Sequence, residues 1–281
     1  MINHVSTNRK TLKLSRFRKH PAAILVVLLV GLFTTGGLYS VGANAANKLT
    51  GKEAVVDIES IMSDPASIDQ GNRLFATGCA TCHGLKAQGT SDGPTLIGVG
   101  AASVHFQVAT GRMPMGAPGA QVMRKKPIYS EEQSLQLAAY VASLSPGPAI
   151  PTDEQLDWMD AELAEGGELF RSNCAQCHAF AGRGGALTEG KYAPSLMLAT
   201  PIQIYEAMIT GPQAMPIFND KTLTVEEKQA VIKYIEYLKD SPNPGGLELG
   251  RYGPVTEGLF LFTIVIGALI AAAIWIGVKA K

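Results

Sequence analysis

The chain has 281 residues, 46% hydrophobic and 17% charged, which is apolar for a soluble protein and points to membrane segments. Its formal charge of zero hides an asymmetry: residues 1–20 hold six Lys or Arg and no acid, Lys279 and Lys281 close the chain, and the region between is net acidic. That balance excludes a nucleic-acid footprint, which needs Lys and Arg clustered on a folded domain.

Residues 1–20 read as a basic cytoplasmic leader. No charged side chain then appears from Pro21 to Asn47, and the run "AAILVVLLVGLF" predicts a helix over 21–43. Two readings of that helix stand open. The basic front and the small-residue "ANAA" at 43–46 fit a secretory signal with a cleavage site. The length of the apolar run fits a retained transmembrane anchor. Both leave the leader in the cytoplasm and carry residues 48–254 outside.

Beyond the anchor the chain repeats itself. "GNRLFATGCATCH" (71–83) lies on "GGELFRSNCAQCH" (166–178), "GPTL" (93–96) on "APSL" (193–196), and Thr110-Gly111 on Thr210-Gly211. These matches set a first domain at 66–145 and a second at 156–240, joined by a Pro-rich linker, 146–155, expected to be a stiff, extended spacer. Each unit predicts helices separated by Gly- and Pro-rich loops, with no strand alternation in view. The closing helix of each has a capping-box sequence, Ser130 with Gln133 and Thr224 with Glu227. Its apolar stripe is Leu137, Tyr140, Val141 and Leu144 in one copy, and Val231, Tyr234, Ile235 and Leu238 in the other. A unit of ~80 residues with so few large apolar side chains makes a poor core by itself. After a second linker, 241–257, the uncharged residues 258–278 are long enough for a transmembrane helix.

Every cysteine falls in a Cys-x-x-Cys-His pentapeptide: Cys79, Cys82 and His83, then Cys174, Cys177 and His178. A disulfide leaves the histidine without a reason, a zinc site wants both pairs together, and a thioredoxin-like pair needs a βαβ context. Covalent attachment of haem c uses all three residues: two thiols form thioethers and the imidazole meets the iron. Two such sites at equivalent repeat positions imply two haems, whose macrocycles supply the missing core. A second axial ligand is needed to close the iron to substrate. No histidine follows His178, so Met215 in "TGPQAMPIF" is the choice in the second unit, while Met197 and Met208 align with Ile97 and Val108 and read as packing residues. In "TGRMPMGAPG" the Met-Pro match favours Met113 and ungapped alignment favours Met115; Met113 is preferred. His105 aligns with Tyr205, which favours a structural role.

Seven acids and no base lie between Asp153 and Glu168, either a docking surface for a basic partner or a solvated face. "MRKKP" (123–127) reads as an exposed loop or as a contact to an acidic neighbour or lipid headgroup. Trp275 suits a membrane-interface anchor, and Arg251-Tyr252 is expected at the outer surface.

"CATCH" and "CAQCH", each followed by "GPTL" or "APSL", a Met-Pro and a closing amphipathic helix, resemble class I cytochrome c domains. The resemblance implies an all-α fold and His–Met ligation, with Pro94 and Pro194 at the position whose carbonyl accepts from the ligating imidazole. The whole layout, including the tail "GGLELGRYGPVTEG" before the terminal helix, resembles the dihaem cytochrome c subunit of actinobacterial cytochrome bc complexes. That family implies cytochrome b, a Rieske iron–sulfur protein and a terminal oxidase as partners, in a menaquinol-oxidising complex of the cell membrane, without a quinone site in this chain. Two other assignments stay open: a dihaem subunit of a haem–copper oxidase or membrane dehydrogenase, and a dihaem peroxidase or gas sensor with one open iron.

Overall fold

A computed structural model describes residues 28–35, 57–117, 119, 121–241 and 248–279. Residues 28–35 are helical; everything else expected of the leader and anchor falls outside the described residues.

From Asp57 onward two similar helical units follow one another. Asp57 caps α1 (Ile58–Ser63) by accepting from the Ser60 N–H, and Asp64 caps α2 (Pro65–Gly78) by accepting from Ala66 and Ser67. Pro65 at the first helical position gives up no bond there. Helix α1 precedes the domain start at 66 expected from the repeat, because the second unit has no matching segment to align with it. The unit continues with α3 (Ala80–His83), α4 (Gly100–Ala109) and α5 (Glu131–Leu144). The second has α6 (Leu163–Asn173), α7 (Ala175–His178), α8 (Pro201–Thr210) and α9 (Val225–Asp240). Both expected capping boxes are formed, with each N-cap hydroxyl and the Gln133 or Glu227 side chain bonding reciprocally.

The repeat extends to the helix crossings. A Cβ on Gly71 of α2 would overlap the Gln136 carbonyl of α5, and one on Gly166 of α6 would overlap the Ala230 carbonyl of α9. Each crossing then seats an aromatic pair, Phe75 with Tyr140 at 5.2 Å between ring centroids and Phe170 with Tyr234 at 5.4 Å. We expect Gly166→Ala to cost about 3 kcal/mol, the upper end for overpacking because the obstacle is backbone. Thermal unfolding of the holoprotein should register it, and an unchanged Tm would mean that the crossing is looser than this.

The predicted stripes face inward at Leu137, Tyr140, Val141, Val231 and Ile235, whereas Leu144 at the end of α5 is exposed. A two-residue antiparallel ladder, β1 (Gly185–Ala186) with β2 (Tyr192–Ala193), interrupts the helical pattern in the second unit. Strands that short leave no period-2 signal to read in sequence.

The linker is extended but lies against α4 rather than standing free. The Ala102 N–H donates to the Pro148 carbonyl at 3.1 Å, Gly100 and Gly147 touch backbone to backbone, and Ile150 is buried. The acidic segment after it keeps its carboxylates in solvent while its backbone is tied to α9. Gln229 donates to the Glu154 carbonyl at 2.8 Å, and Lys233 to those of Met159 and Ala161 at 2.9 and 2.6 Å.

Arg251 reaches back to the last turn of α9, donating to the carbonyls of Leu238 at 3.3 Å and Ser241 at 2.7 Å, where a helix end favours a cation. The terminal helix then runs through α10 (Pro254–Phe260), a π-helical turn (Leu261–Ile266) and α11 (Gly267–Lys279). Val255–Lys279 is 25 residues of apolar helix with no residue buried along its apolar stretch. At ~1.5 Å per residue it exceeds the ~30 Å of a bilayer core. It therefore takes in Glu257, ahead of the uncharged run read from sequence.

Candidate functional site

The two pentapeptides are built alike. Helix α2 ends at Cys79, whose N–H still reaches Phe75 at 2.8 Å, and the single turn α3 then presents Cys82 and His83. Helix α6 ends the same way at Cys174, with Cys177 and His178 on α7. Cysteines three apart on one turn share a face. None of the four is paired in a disulfide. Burial, with the neighbouring Cys82, pushes the Cys79 thiol up to about 11; burial, with Cys177, does the same for Cys174.

His83 Nδ1 lies 2.8 Å from the Pro94 carbonyl and His178 Nδ1 2.9 Å from that of Pro194. A carbonyl only accepts, so Nδ1 carries a proton in each ring and Nε2 is the nitrogen left to face a metal. Burial lowers the His178 pKa against the opposing pull of the Pro194 bond, which favours the neutral ring. The loops holding the prolines match as well: Gly89 and Gly184 donate to the carbonyls of His83 and His178, and Leu96 and Leu196 to those of Ala87 and Gly182.

Beside the second pentapeptide lies a cavity of about 640 Å³, whose lining includes Cys174, Cys177, His178, Met208, Met215 and Ile235. Met215 sits on a loop fixed at both ends, by its own N–H to the Pro212 carbonyl at 3.1 Å and by the Phe218 N–H to Met208 at 2.7 Å. Behind the loop Lys228, fully buried, donates to Asp220 at 2.6 Å and to the Leu223 carbonyl at 2.7 Å. Met208 belongs to the core of the unit.

The two methionines of the first unit diverge. The Met113 N–H donates to Gln107 at 2.9 Å, and its side chain packs on the Phe75–Leu137–Val141 cluster that Cys79 also joins. Met115 faces the other unit and lines the cavity beside Cys174. His105 stands apart from both, buried between the carboxylates of Glu206 at 2.6 Å and Glu131 at 2.7 Å. Burial works to lower its pKa, but the hydrogen bonds and charges of Glu131 and Glu206 outweigh it and bring the ring up to about 9. Glu206 had no motif to mark it; a helical position one residue from the partner of His105 is its only trace in sequence. Arg112 was equally silent, lying buried over the Phe106 ring at 4.8 Å. In "MRKKP" all five residues are exposed, as the exposed-loop reading expects, although Lys125 donates to the Pro114 carbonyl at 2.8 Å and Arg124 borders the cavity beside Cys174.

The family model for cytochrome c matches residues 68–145, and that for "Cytochrome C oxidase, cbb3-type, subunit III" matches 161–235. The chain is 49% identical to the cytochrome bc1 complex cytochrome c subunit of Corynebacterium efficiens over 231 residues, covering 76% of this chain and 77% of that one. It is 43% identical to the protein of the same name from Corynebacterium diphtheriae, over 96% of this chain and 99% of the other. The chain belongs to the cytochrome bc1 complex cytochrome c subunit family. A cbb3-type cytochrome c oxidase subunit from Rubrivivax gelatinosus is 30% identical over 45% of this chain and 38% of its own.

Membership makes this an electron-carrying cytochrome c, helical, with a terminal helix able to span a membrane, and its cytochrome c domains imply covalently bound haem c. The donor set of the second domain fits that group: two thiols on one turn, an imidazole whose Nδ1 is bonded to a carbonyl, and a thioether border a half-open, mainly apolar chamber. Its volume lies within the ~300–1,000 Å³ usual for cofactor pockets.

Proposed function

We propose that this chain relays single electrons from the Rieske subunit of a menaquinol-oxidising cytochrome bc complex, through two covalently held haems c, to a terminal oxidase. In this reading Cys79, Cys82, Cys174 and Cys177 form the thioethers, His83 and His178 are proximal ligands, and Met113 and Met215 are distal ones. The domains are 66–145 and 156–240, both on the outer side of the cell membrane, with cytochrome b as a further neighbour.

Haem iron would supply the one-electron chemistry. The protein's part is to hold and insulate. Pro94 and Pro194 fix each imidazole ring and raise its basicity through the Nδ1–H bond. Met113 and Met215 would supply a thioether to each iron, a second strong ligand that would suit electron transfer and disfavour peroxidase or gas-sensing chemistry. The observation that carries the reading is the duplicated pentapeptide, each histidine bonded to a proline carbonyl, within a chain of this family.

Met113, which packs on the same core cluster as Cys79, is the better-placed thioether in the first domain. Met113→Ala is expected to remove the methionine–iron charge-transfer absorption of one haem, while Met115→Ala leaves both. If Met115→Ala removes it instead, the two roles are exchanged.

The partial likeness to a cbb3-type oxidase subunit favours one rival, a dihaem subunit bound directly to a haem–copper oxidase. A mild-detergent pull-down through a C-terminal tag, with difference spectra, separates the two. Cytochrome b and a-type bands with a Rieske signal support the bc–oxidase bridge. An oxidase without cytochrome b or Rieske signal transfers the relay to the rival complex.

A further inference from the structure

The chamber beside His178 has a wall that its own domain does not supply. Arg112, Met115, Gln121, Val122 and Arg124 of the first domain line it. The segment is fastened by reciprocal bonds. Gln121 donates to the Tyr192 carbonyl at 2.6 Å and accepts from the Tyr192 N–H at 2.7 Å. Gln213 treats Val122 in the same way, at 3.1 Å in each direction. Four such bonds set the register of the segment against the second domain.

What the segment brings is positive charge with no acidic partner among the described residues. Arg112 is 7% exposed, and among the described residues its buried Nη1 has no hydrogen-bond partner. Arg124 is close enough for the two cations to oppose one another. Lys191 of the second domain also borders the chamber but is paired with Glu189 at 3.1 Å, and no acidic side chain among the described residues lines the chamber itself. A buried guanidinium left unpaired costs several kcal/mol, so native proteins supply an anion for it. Guanidinium is also the side chain whose fork best matches a carboxylate. Haem c carries two carboxylates, its propionates, on one edge of the macrocycle.

We propose that Arg112 and Arg124 of the first domain bind the propionate edge of the haem held by the second, so that the second haem site is completed by its neighbour. The proposal rests on the reading that the second domain holds haem c. It also gives the loop after α4 a double task, since Arg112 directly precedes Met113, the thioether assigned to the first haem. One peptide unit then joins a contact to one cofactor with a ligand of the other.

The test is an optical redox titration of the full-length, detergent-purified holoprotein, which should give two one-electron waves. Met215→His exchanges a thioether for an imidazole and identifies the second haem as the wave that falls. Arg112→Gln and Arg124→Gln are each expected to lower that same wave, because losing a cation favours the ferric state. Together they should shift its reduction equilibrium by about tenfold, ~59 mV for a one-electron couple. Arg112→Lys, which keeps the charge, should move it much less. Resonance Raman propionate bending bands should shift in Arg112→Gln as well. Unchanged bands and an unmoved second wave, or a shift confined to the first wave, overturn the proposal while leaving the second haem in place. If only one haem per chain is present, or Met215→His moves neither wave, the second-haem reading itself fails and this one with it.

Discussion

Replacing Cys174 and Cys177 together by serine is expected to halve the haem that stays with the chain after acid–acetone extraction, and to abolish electron transfer through the complex. The two thiols stand three residues apart on one turn, and a thioether from each is what holds haem c covalently. The loss reaches further than the cofactor. The chamber of about 640 Å³ is bordered by Met208, Phe218, Val231 and Ile235, which also form the core of the second domain. Without a macrocycle these side chains lose the apolar surface they would pack on and face water, which removes much of the burial that stabilises a small domain. The second domain should therefore lose near-ultraviolet circular dichroism and become protease-sensitive, while the first keeps its haem. Pyridine haemochrome assay against protein mass is the direct check. Two haems per chain in the double variant would remove the second pentapeptide from the attachment reading.

A comparable loss is expected when His105 becomes leucine, though no cofactor is touched. Its ring joins α4 of the first domain to α8 of the second through Glu206, which is fully buried. Removing one member of a buried ion pair strands the other and typically costs ~3–5 kcal/mol. Leucine should lower the Tm of the holoprotein accordingly, and His105→Leu with Glu206→Leu should recover much of it, because an apolar pair strands no charge.

The same cluster sets a pH dependence. His105 is raised from 6.5 to about 9, so the folded protein holds a proton that the unfolded chain releases. The stabilisation is fully present below pH 6.5 and is lost as pH rises through 9. Glu206, raised by burial despite the opposing pull of His105, also favours the protonated fold. Glu131, held down first by its hydrogen bond to His105, works the other way, and only as pH falls toward the carboxylate range. Wild-type Tm should thus decline between pH 6.5 and 9, and His105→Leu should flatten that decline. A wild-type profile flat across this window would mean that His105 is not charged in the folded state.

Much of this architecture is legible along the chain because its causes are local. A pentapeptide carries its own attachment chemistry, a Ser or Thr three residues before Gln or Glu caps the helix that follows, and a long uncharged apolar run spans a bilayer wherever it lies. Duplication then supplied a second copy against which each reading was checked, down to Pro94 and Pro194 behind the two imidazoles. The places where sequence stopped short are those without a counterpart in the repeat. His105 aligned with a tyrosine and Met113 competed with Met115, since alignment compares copies of a domain and is blind to contacts between them. Helix α1 and the two-residue ladder failed for related reasons, one lying outside the repeat and the other too short to show a period.

Composition, motif spacing and internal repetition by themselves determined two tandem helical domains, the cysteines and histidines proposed here to hold haem, and the terminal apolar helix. Tertiary structure alone decided that Met113 packs on the core cluster of its own domain while Met115 lines the chamber of the neighbouring one, that His105 meets a glutamate 101 residues away, and that two arginines of one domain wall the chamber of the other. The division has a physical origin. Covalent attachment, capping and membrane insertion are fixed by residues within a turn or a span of one another. The burial that pairs His105 with Glu206 and directs Arg112 into the second chamber exists only once the two domains have docked.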